Sequence, residues 1–327
     1  MSAMIEPTFQ PKGWLKNPHV QSILASSGLR AGRARKLYPA LQQYEKPRIL
    51  DCGNGVRLSG LMSKQPGASR GLAFLIHGWE GSAQSSYLQT TGGRLFDEGF
   101  DVFRLNLRDH GDSHHLNVDL FHSCRLDEVV TAALTIRGEF AGRKALIGGF
   151  SLGGNFALRV ARATDTAFQF VFSICPPLVP KKSLEAIELA PWFYRYYFMR
   201  KWRESLLLKQ RLFPERFNFR SWQSLNMRDL TRELIAQETD FPSVDAYLDG
   251  YTIGRDRLLE LRCPSLVVAA QDDPVIPVAD FHELQCPANM QLEILPHGGH
   301  CGFLTNLSME SWAESRIARA LTDLQWA

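Results

Sequence analysis

The chain has 327 residues, of which 45% are hydrophobic and 22% charged, ordinary globular proportions that exclude a disordered, collagen-like or coiled-coil protein. Lys and Arg number 37 against 34 Asp and Glu, and the resulting charge of +3 is too balanced to point to a nucleic-acid partner. No apolar run approaches the roughly eighteen residues of a membrane-spanning helix. The Met-Ser-Ala-Met-Ile-Glu-Pro start has no basic region leading into a hydrophobic one, so no secretory signal is expected. Six cysteines (Cys52, Cys124, Cys175, Cys263, Cys286, Cys301) are scattered without a C-x-x-C pair. They read as reduced thiols of a cytoplasmic protein, neither a disulfide framework nor a zinc site.

In chain order, residues 1–47 are rich in Pro, Gly and basic side chains and read as an arm wrapped over the domain. From Arg48 onward, short apolar runs alternate with helical patterns, the signature of an α/β fold with a mostly parallel sheet. Strands are predicted at 56–62, 72–76, 101–105, 145–148, 168–173, 265–270 and 291–295. Helices are predicted at 85–98, 126–137, 154–162 and 309–324. The run 72–76 is apolar throughout and closes on His77-Gly78, as suits a strand buried on both faces. Residues 181–262 separate neighbouring strands by too long a stretch for a simple connection. This insert is helical in character and aromatic, and its residues 195–220 hold eight basic and two acidic side chains. The predicted organisation is a core of 48–180 and 263–327 with a helical cap at 181–262.

The chemistry concentrates at Gly149-Phe150-Ser151-Leu152-Gly153, a G-x-S-x-G motif between an apolar strand and a small-residue helix start. A nucleophile on such a tight turn needs glycines where side chains would collide, and the helix N-terminus places free N–H groups beside it. Ser151 is the candidate nucleophile and the Leu152 N–H one oxyanion donor. The second donor is expected after the third strand, in Ile76-His77-Gly78-Trp79, from the Trp79 N–H.

A serine hydroxyl requires a base, and the base an orienting acid; in this architecture both follow the serine. The strand 265–270 runs into Gln271-Asp272-Asp273-Pro274, and the last strand into His297-Gly-Gly-His300. Asp273 is preferred to Asp272 because it precedes Pro-Val-Ile-Pro, the usual end of that strand in serine hydrolases. His300 is preferred to His297 because two glycines allow its loop to fold back over Ser151. Other patterns read as structural. Arg108-Asp-His-Gly-Asp-Ser-His-His115 has no recognised ligand spacing, and His122-x-x-x-x-Asp127 is too short a pattern to indicate an acyltransferase. Cys301 reads as buried packing. The aromatic, basic cap suits packing with solvated cations better than single-stranded nucleic acid.

Asn17-Pro-His-Val-Gln-Ser22, Gly149-Phe-Ser-Leu-Gly-Gly-Asn155, Gln271-Asp-Asp-Pro274, His297-Gly-Gly-His-Cys-Gly-Phe303 and Glu314-Ser-Arg-Ile317 together resemble the YheT-like branch of the α/β hydrolases over nearly the whole chain. Cys301 and Asp109 depart from that pattern. The resemblance implies a carboxylic-ester hydrolase acting on short- to medium-chain acyl esters or phospholipids, without cofactor or metal, some relatives passing the acyl group to an alcohol. It places the catalytic serine, acid and histidine on Ser151, Asp273 and His300. The partner expected is a small acyl ester or lipid; a non-catalytic ligand-binding protein is the alternative of a different class.

Overall fold

In a computed structural model, whose described residues are 9–326, the apolar runs become the centre of one eight-stranded sheet. The strands are β1 (Glu45–Asp51), β2 (Arg57–Ser63), β3 (Leu72–Ile76), β4 (Asp101–Asn106), β5 (Ala145–Phe150), β6 (Phe170–Ile174), β7 (Ser265–Ala270) and β8 (Met290–Leu295). Their spatial order is β1-β2-β4-β3-β5-β6-β7-β8. β2 pairs antiparallel with both β1 and β4, and every later pairing is parallel. β3, β5 and β6 are fully buried, with Phe74 beside Phe103 on one side and Ile147 on the other. Apolar clusters fill both faces, so the continuous runs have no solvent side to alternate against.

The connections fix where a site can form. Helices Ser86–Asp97, Leu126–Gly138 and Leu152–Ala163 link β3 to β4, β4 to β5 and β5 to β6. The chain leaves β3 for β4 on one side and later returns to β5 on the other, so the sheet order reverses between β3 and β5. The loops after these two strands face a crevice at their carboxyl ends, where open α/β sheets bind ligands.

Within residues 9–44 the predicted arm consists of the short helices Gly13–Lys16, Pro18–Ala25, Gly28–Leu37 and Pro39–Gln43. Asn17 starts the second by accepting from the His19 and Val20 amides, with Pro18 supplying a fixed φ at the first helical position. β1 has no counterpart among the strands predicted from the sequence. It is an edge strand carrying Pro47, with one buried residue in seven, so its apolar signal is weak. The final helix begins at Trp312, later than expected, because Met309 has φ +58° and Ser311 is extended.

Between β6 and β7 lie helices Pro180–Leu189, Trp192–Leu212, Met227–Glu238 and Val244–Asp249. The long Trp192–Leu212 helix buries Tyr194, Met199, Trp202, Leu206 and Lys209, the last four a stripe at three- and four-residue intervals. Lys209 departs from the expectation of solvated cations. Its ammonium donates to Asp109 Oδ1 at 2.6 Å and to the Asn117, Asp119 and His114 carbonyls at 2.7, 3.2 and 3.3 Å. That charge is paired and fully hydrogen-bonded, as burial demands, and it ties this helix to the loop after β4. No helix among the described residues is long and apolar enough to cross a membrane.

Candidate active site

Ser151 occupies the turn between β5 and helix Leu152–Ala163 with φ +53° and ψ −125°, a strained backbone for a non-glycine residue. The flanking glycines are required by close approach. A Cβ on Gly149 would lie 2.3 Å from the Gly153 carbonyl carbon, and one on Gly153 would lie 2.2 Å from Ile76 O. A Cβ on Gly78 would come within 3.2 Å of Ser151 Cβ, so the loop after β3 presses directly on the turn. Among the described residues, neither the Trp79 nor the Leu152 N–H has a hydrogen-bond acceptor. Both belong to the two loops that meet beside the Ser151 hydroxyl.

The histidine arrives from the loop after β8. His300 Nε2 lies 2.9 Å from Ser151 Oγ, and Nδ1 lies 2.9 Å from Asp273 Oδ2. The other Asp273 oxygen accepts from the Val275 and Ile276 amides at 2.8 and 3.0 Å, which fixes the carboxylate in place. Asp273 is all but fully buried and His300 nearly so. Burial alone would lower the His300 pKa, but the Asp273 carboxylate and the neighbouring Cys301 outweigh it and raise the pKa well above the ordinary histidine value. Asp272 and His297 form a separate pair at 3.3 Å, and Asp272 also accepts the Gly299 N–H at 2.8 Å, ordering the histidine loop from below.

Two groups of residues support the site in ways not assigned to them from the sequence. The first is the helix Pro18–Ala25. Ser22 Oγ accepts the His300 N–H at 2.8 Å and donates to Pro18 O, while buried Gln21 donates to Leu15 O and Leu304 O and accepts from the Leu304 N–H. The arm therefore clamps the loop that carries the histidine. The second is a pair of buried imidazoles behind the Trp79 loop. His77 Nε2 accepts from the Leu107 amide and His110 Nε2 from the Glu80 amide, both at 3.1 Å. Their Nδ1–H groups donate to Gly78 O and Arg108 O, each at 2.7 Å. Burial lowers both pKa values, His77 to about 4, so both rings stay neutral and hold the loop in one tautomeric arrangement. The segment 108–115, expected to be a structural turn, thus supports the loop of Trp79. Sequence spacing carries no sign of these contacts, although an H-G dipeptide marks each of the two histidines.

As for metals, Cys175, Cys301 and His300 place ligand atoms within 4.8 Å of one another. Both His300 nitrogens are already engaged by Asp273 and Ser151, and the Cys301 thiol donates to Ile174 O, so the cluster reads as packing beneath the histidine. His122 and Asp127 are not brought to Ser151 as a pair: His122 lines the cavity below, and Asp127 opens the helix Leu126–Gly138.

Two cavities meet at Ser151. One, of about 120 Å³, is walled by apolar side chains including Leu184, Ile187, Met227, Val275 and Ile276. The other, of about 430 Å³, mixes polar and aromatic walls and is lined by His300. Trp79 and Phe198 line both, their rings stacked with centroids 5.5 Å apart.

An eight-stranded sheet with this strand order, a strained serine turn after β5 and the acid and histidine loops after β7 and β8 define an α/β-hydrolase fold. The chain belongs to that family, the alpha/beta hydrolase fold model matching residues 74–307. A protein of Synechocystis sp. named "Putative esterase slr0264" is 22% identical over 286 residues, covering 79% of this chain and 77% of its own. Among solved structures, the Pyrococcus furiosus esterase Pf2001 aligns over 97% of this chain and 98% of its own at 14% identity, TM-score 0.57. The 2,6-dihydroxy-pseudo-oxynicotine hydrolase aligns over 89% and 70% at 14% identity, TM-score 0.59.

Proposed function

We propose that this chain is a serine carboxylic-ester hydrolase working through an acyl-enzyme. The observation that carries the reading is the unbroken relay of 2.9 Å contacts from Ser151 Oγ through His300 to Asp273. Ser151 Oγ attacks the ester carbonyl carbon as its proton passes to His300 Nε2. Asp273 holds Nδ1–H and stabilises the imidazolium, and the Trp79 and Leu152 amides receive the carbonyl oxygen as it becomes an oxyanion. When the tetrahedral adduct collapses, the carbon–oxygen bond to the alcohol breaks and Nε2–H protonates the departing oxygen. Water, deprotonated by the same nitrogen, then releases the acid and restores Ser151.

The apolar cavity receives the acyl group. An apolar cavity of about 150 Å³ accommodates benzene, so about 120 Å³ suits a chain of roughly four to six carbons. Segment 181–262 acts as the cap that closes this cavity. The test is hydrolysis of p-nitrophenyl acyl esters by wild type and Ser151→Ala. Turnover is expected to fall by about 10⁴–10⁶ in the variant with the fold intact; equal rates would refute the assignment.

A further inference from the structure

The proton that leaves with the alcohol comes from His300 Nε2, so the alcohol half of the substrate must sit in the compartment that His300 lines. Resting on the esterase reading, that chemistry orients the substrate. Of the two cavities at Ser151, His300 lines only the larger one, while the smaller apolar one extends under the cap helices. The stacked rings of Trp79 and Phe198 stand between them. The acyl side is small and greasy; the alcohol side is more than three times larger and lined by polar and apolar surface in about equal measure. This is the reverse of what a long-chain fat ester would require.

The alcohol compartment also has a readable chemistry. The Lys201 ammonium donates to Glu80 O at 3.0 Å and lies over the Tyr197 ring, 5.3 Å from its centroid, with donor capacity left for a ligand. Ser82 Oγ accepts the Gln84 N–H, leaving its hydroxyl proton for a guest, whereas Ser85 is engaged by the Ser82 N–H and the Tyr87 hydroxyl. Burial pushes the Glu80 carboxyl up to about 8, so at neutral pH it is mainly protonated and offers one donor and one acceptor rather than a charge that cancels Lys201. Tyr197, 37% exposed, joins Trp79 and Phe198 in offering flat apolar faces. Alternating donors and acceptors beside aromatic faces match a ring with many hydroxyls and apolar C–H faces. Ser26 and Gly28 of the arm close the far side.

We infer that the enzyme removes short acyl groups from a bulky, polyhydroxylated alcohol such as a sugar or polyol, with Lys201, Ser82 and Tyr197 as its recognition residues. The experiment compares kcat/KM for methyl 6-O-acetyl-α-D-glucopyranoside with that for ethyl acetate. The two esters share an acyl group and a primary alkoxide of similar leaving ability. The glucoside is expected to be favoured by about 10–100-fold, because its hydroxyls satisfy polar groups that an ethyl group leaves unmet. In Lys201→Met and Tyr197→Leu this ratio should fall about three- to tenfold, mainly through KM. Ethyl octanoate should be a poorer substrate than ethyl butyrate. A glucoside-to-ethyl ratio near one, or a rate on ethyl octanoate above that on ethyl butyrate, would overturn the inference while leaving the serine esterase standing. Faster turnover of 1-acetyl-glycerol 3-phosphate than of the glucoside would show that Lys201 recognises a phosphate and would overturn the polyhydroxyl assignment. No turnover of any ester would remove the esterase reading itself and this inference with it.

Discussion

Replacing Gln21 with methionine tests how far the arm contributes to a site that lies far away in sequence. The side chain is fully buried, and its amide satisfies three main-chain groups: Leu15 O at 2.8 Å, Leu304 O at 3.1 Å and Leu304 N–H at 2.7 Å. Methionine fills a similar volume but leaves all three unpaired. An unsatisfied buried donor or acceptor costs about 1–3 kcal/mol. Partial relief by local shifts brings the expected loss to about 3–5 kcal/mol, at the upper end for a single substitution. Because Leu304 closes the loop that carries His300, the lesion should also loosen the 2.9 Å contact to Ser151 and lower kcat more than it raises KM. Urea unfolding followed by tryptophan fluorescence measures the first effect and steady-state kinetics on a p-nitrophenyl ester the second. A loss under about 1 kcal/mol with unchanged kcat would show that the arm is a passive covering.

Other expectations follow from groups already described. The raised pKa of His300 predicts that kcat/KM climbs with pH through a midpoint above the ordinary histidine value, since only the neutral ring accepts the serine proton. Asp273→Asn removes the charge that holds it up, so the midpoint should move down while the plateau falls by about 10⁴, as read from a pH–rate profile. Lys209→Met strands Asp109, whose carboxyl burial already pushes above its usual range, and should cost about 3–5 kcal/mol at neutral pH. In that variant the folded-state pKa of Asp109 rises further above the unfolded value, so its stability deficit should shrink as pH falls and the carboxyl protonates; chemical denaturation at pH 7 and pH 5 checks the sign. Gly153→Ala forces a Cβ within 2.2 Å of a main-chain oxygen and should abolish activity and lower Tm, whereas Gly138→Ala, with nothing within 4 Å, should leave both unchanged.

The features of the site legible in the sequence are those whose chemistry is local. A candidate nucleophile framed by Gly149 and Gly153, and a candidate acid and base placed after consecutive late strands, leave short-range signatures because backbone crowding and chain order constrain neighbouring residues. Asp273 is preferred to Asp272 for the Pro-Val-Ile-Pro that follows it and His300 to His297 for the two glycines before it, and the structure brings Asp273 to His300 while Asp272 lies beside His297. Contacts made across the fold leave no such mark. Ser22 meets the His300 amide 278 positions away, and nothing in Asn17-Pro-His-Val-Gln-Ser22 announces a partner. Lys209 looks like one more solvated cation in a basic helix, and only the loop after β4 supplies the four oxygens that make its burial tolerable. β1 escapes notice because an edge strand with Pro47 has little apolar periodicity to show.

The clamp between the arm and the histidine loop has a bearing on biosynthesis. A nascent polypeptide leaving the ribosome holds its serine turn long before residue 300 exists, and the earliest helices must wait for the last strand before they meet their loop. Hydrolytic competence therefore cannot precede the synthesis of residue 304, when the arm and the histidine loop can first meet. A product that stops short of residue 300 would hold the serine turn without the imidazole that contacts it.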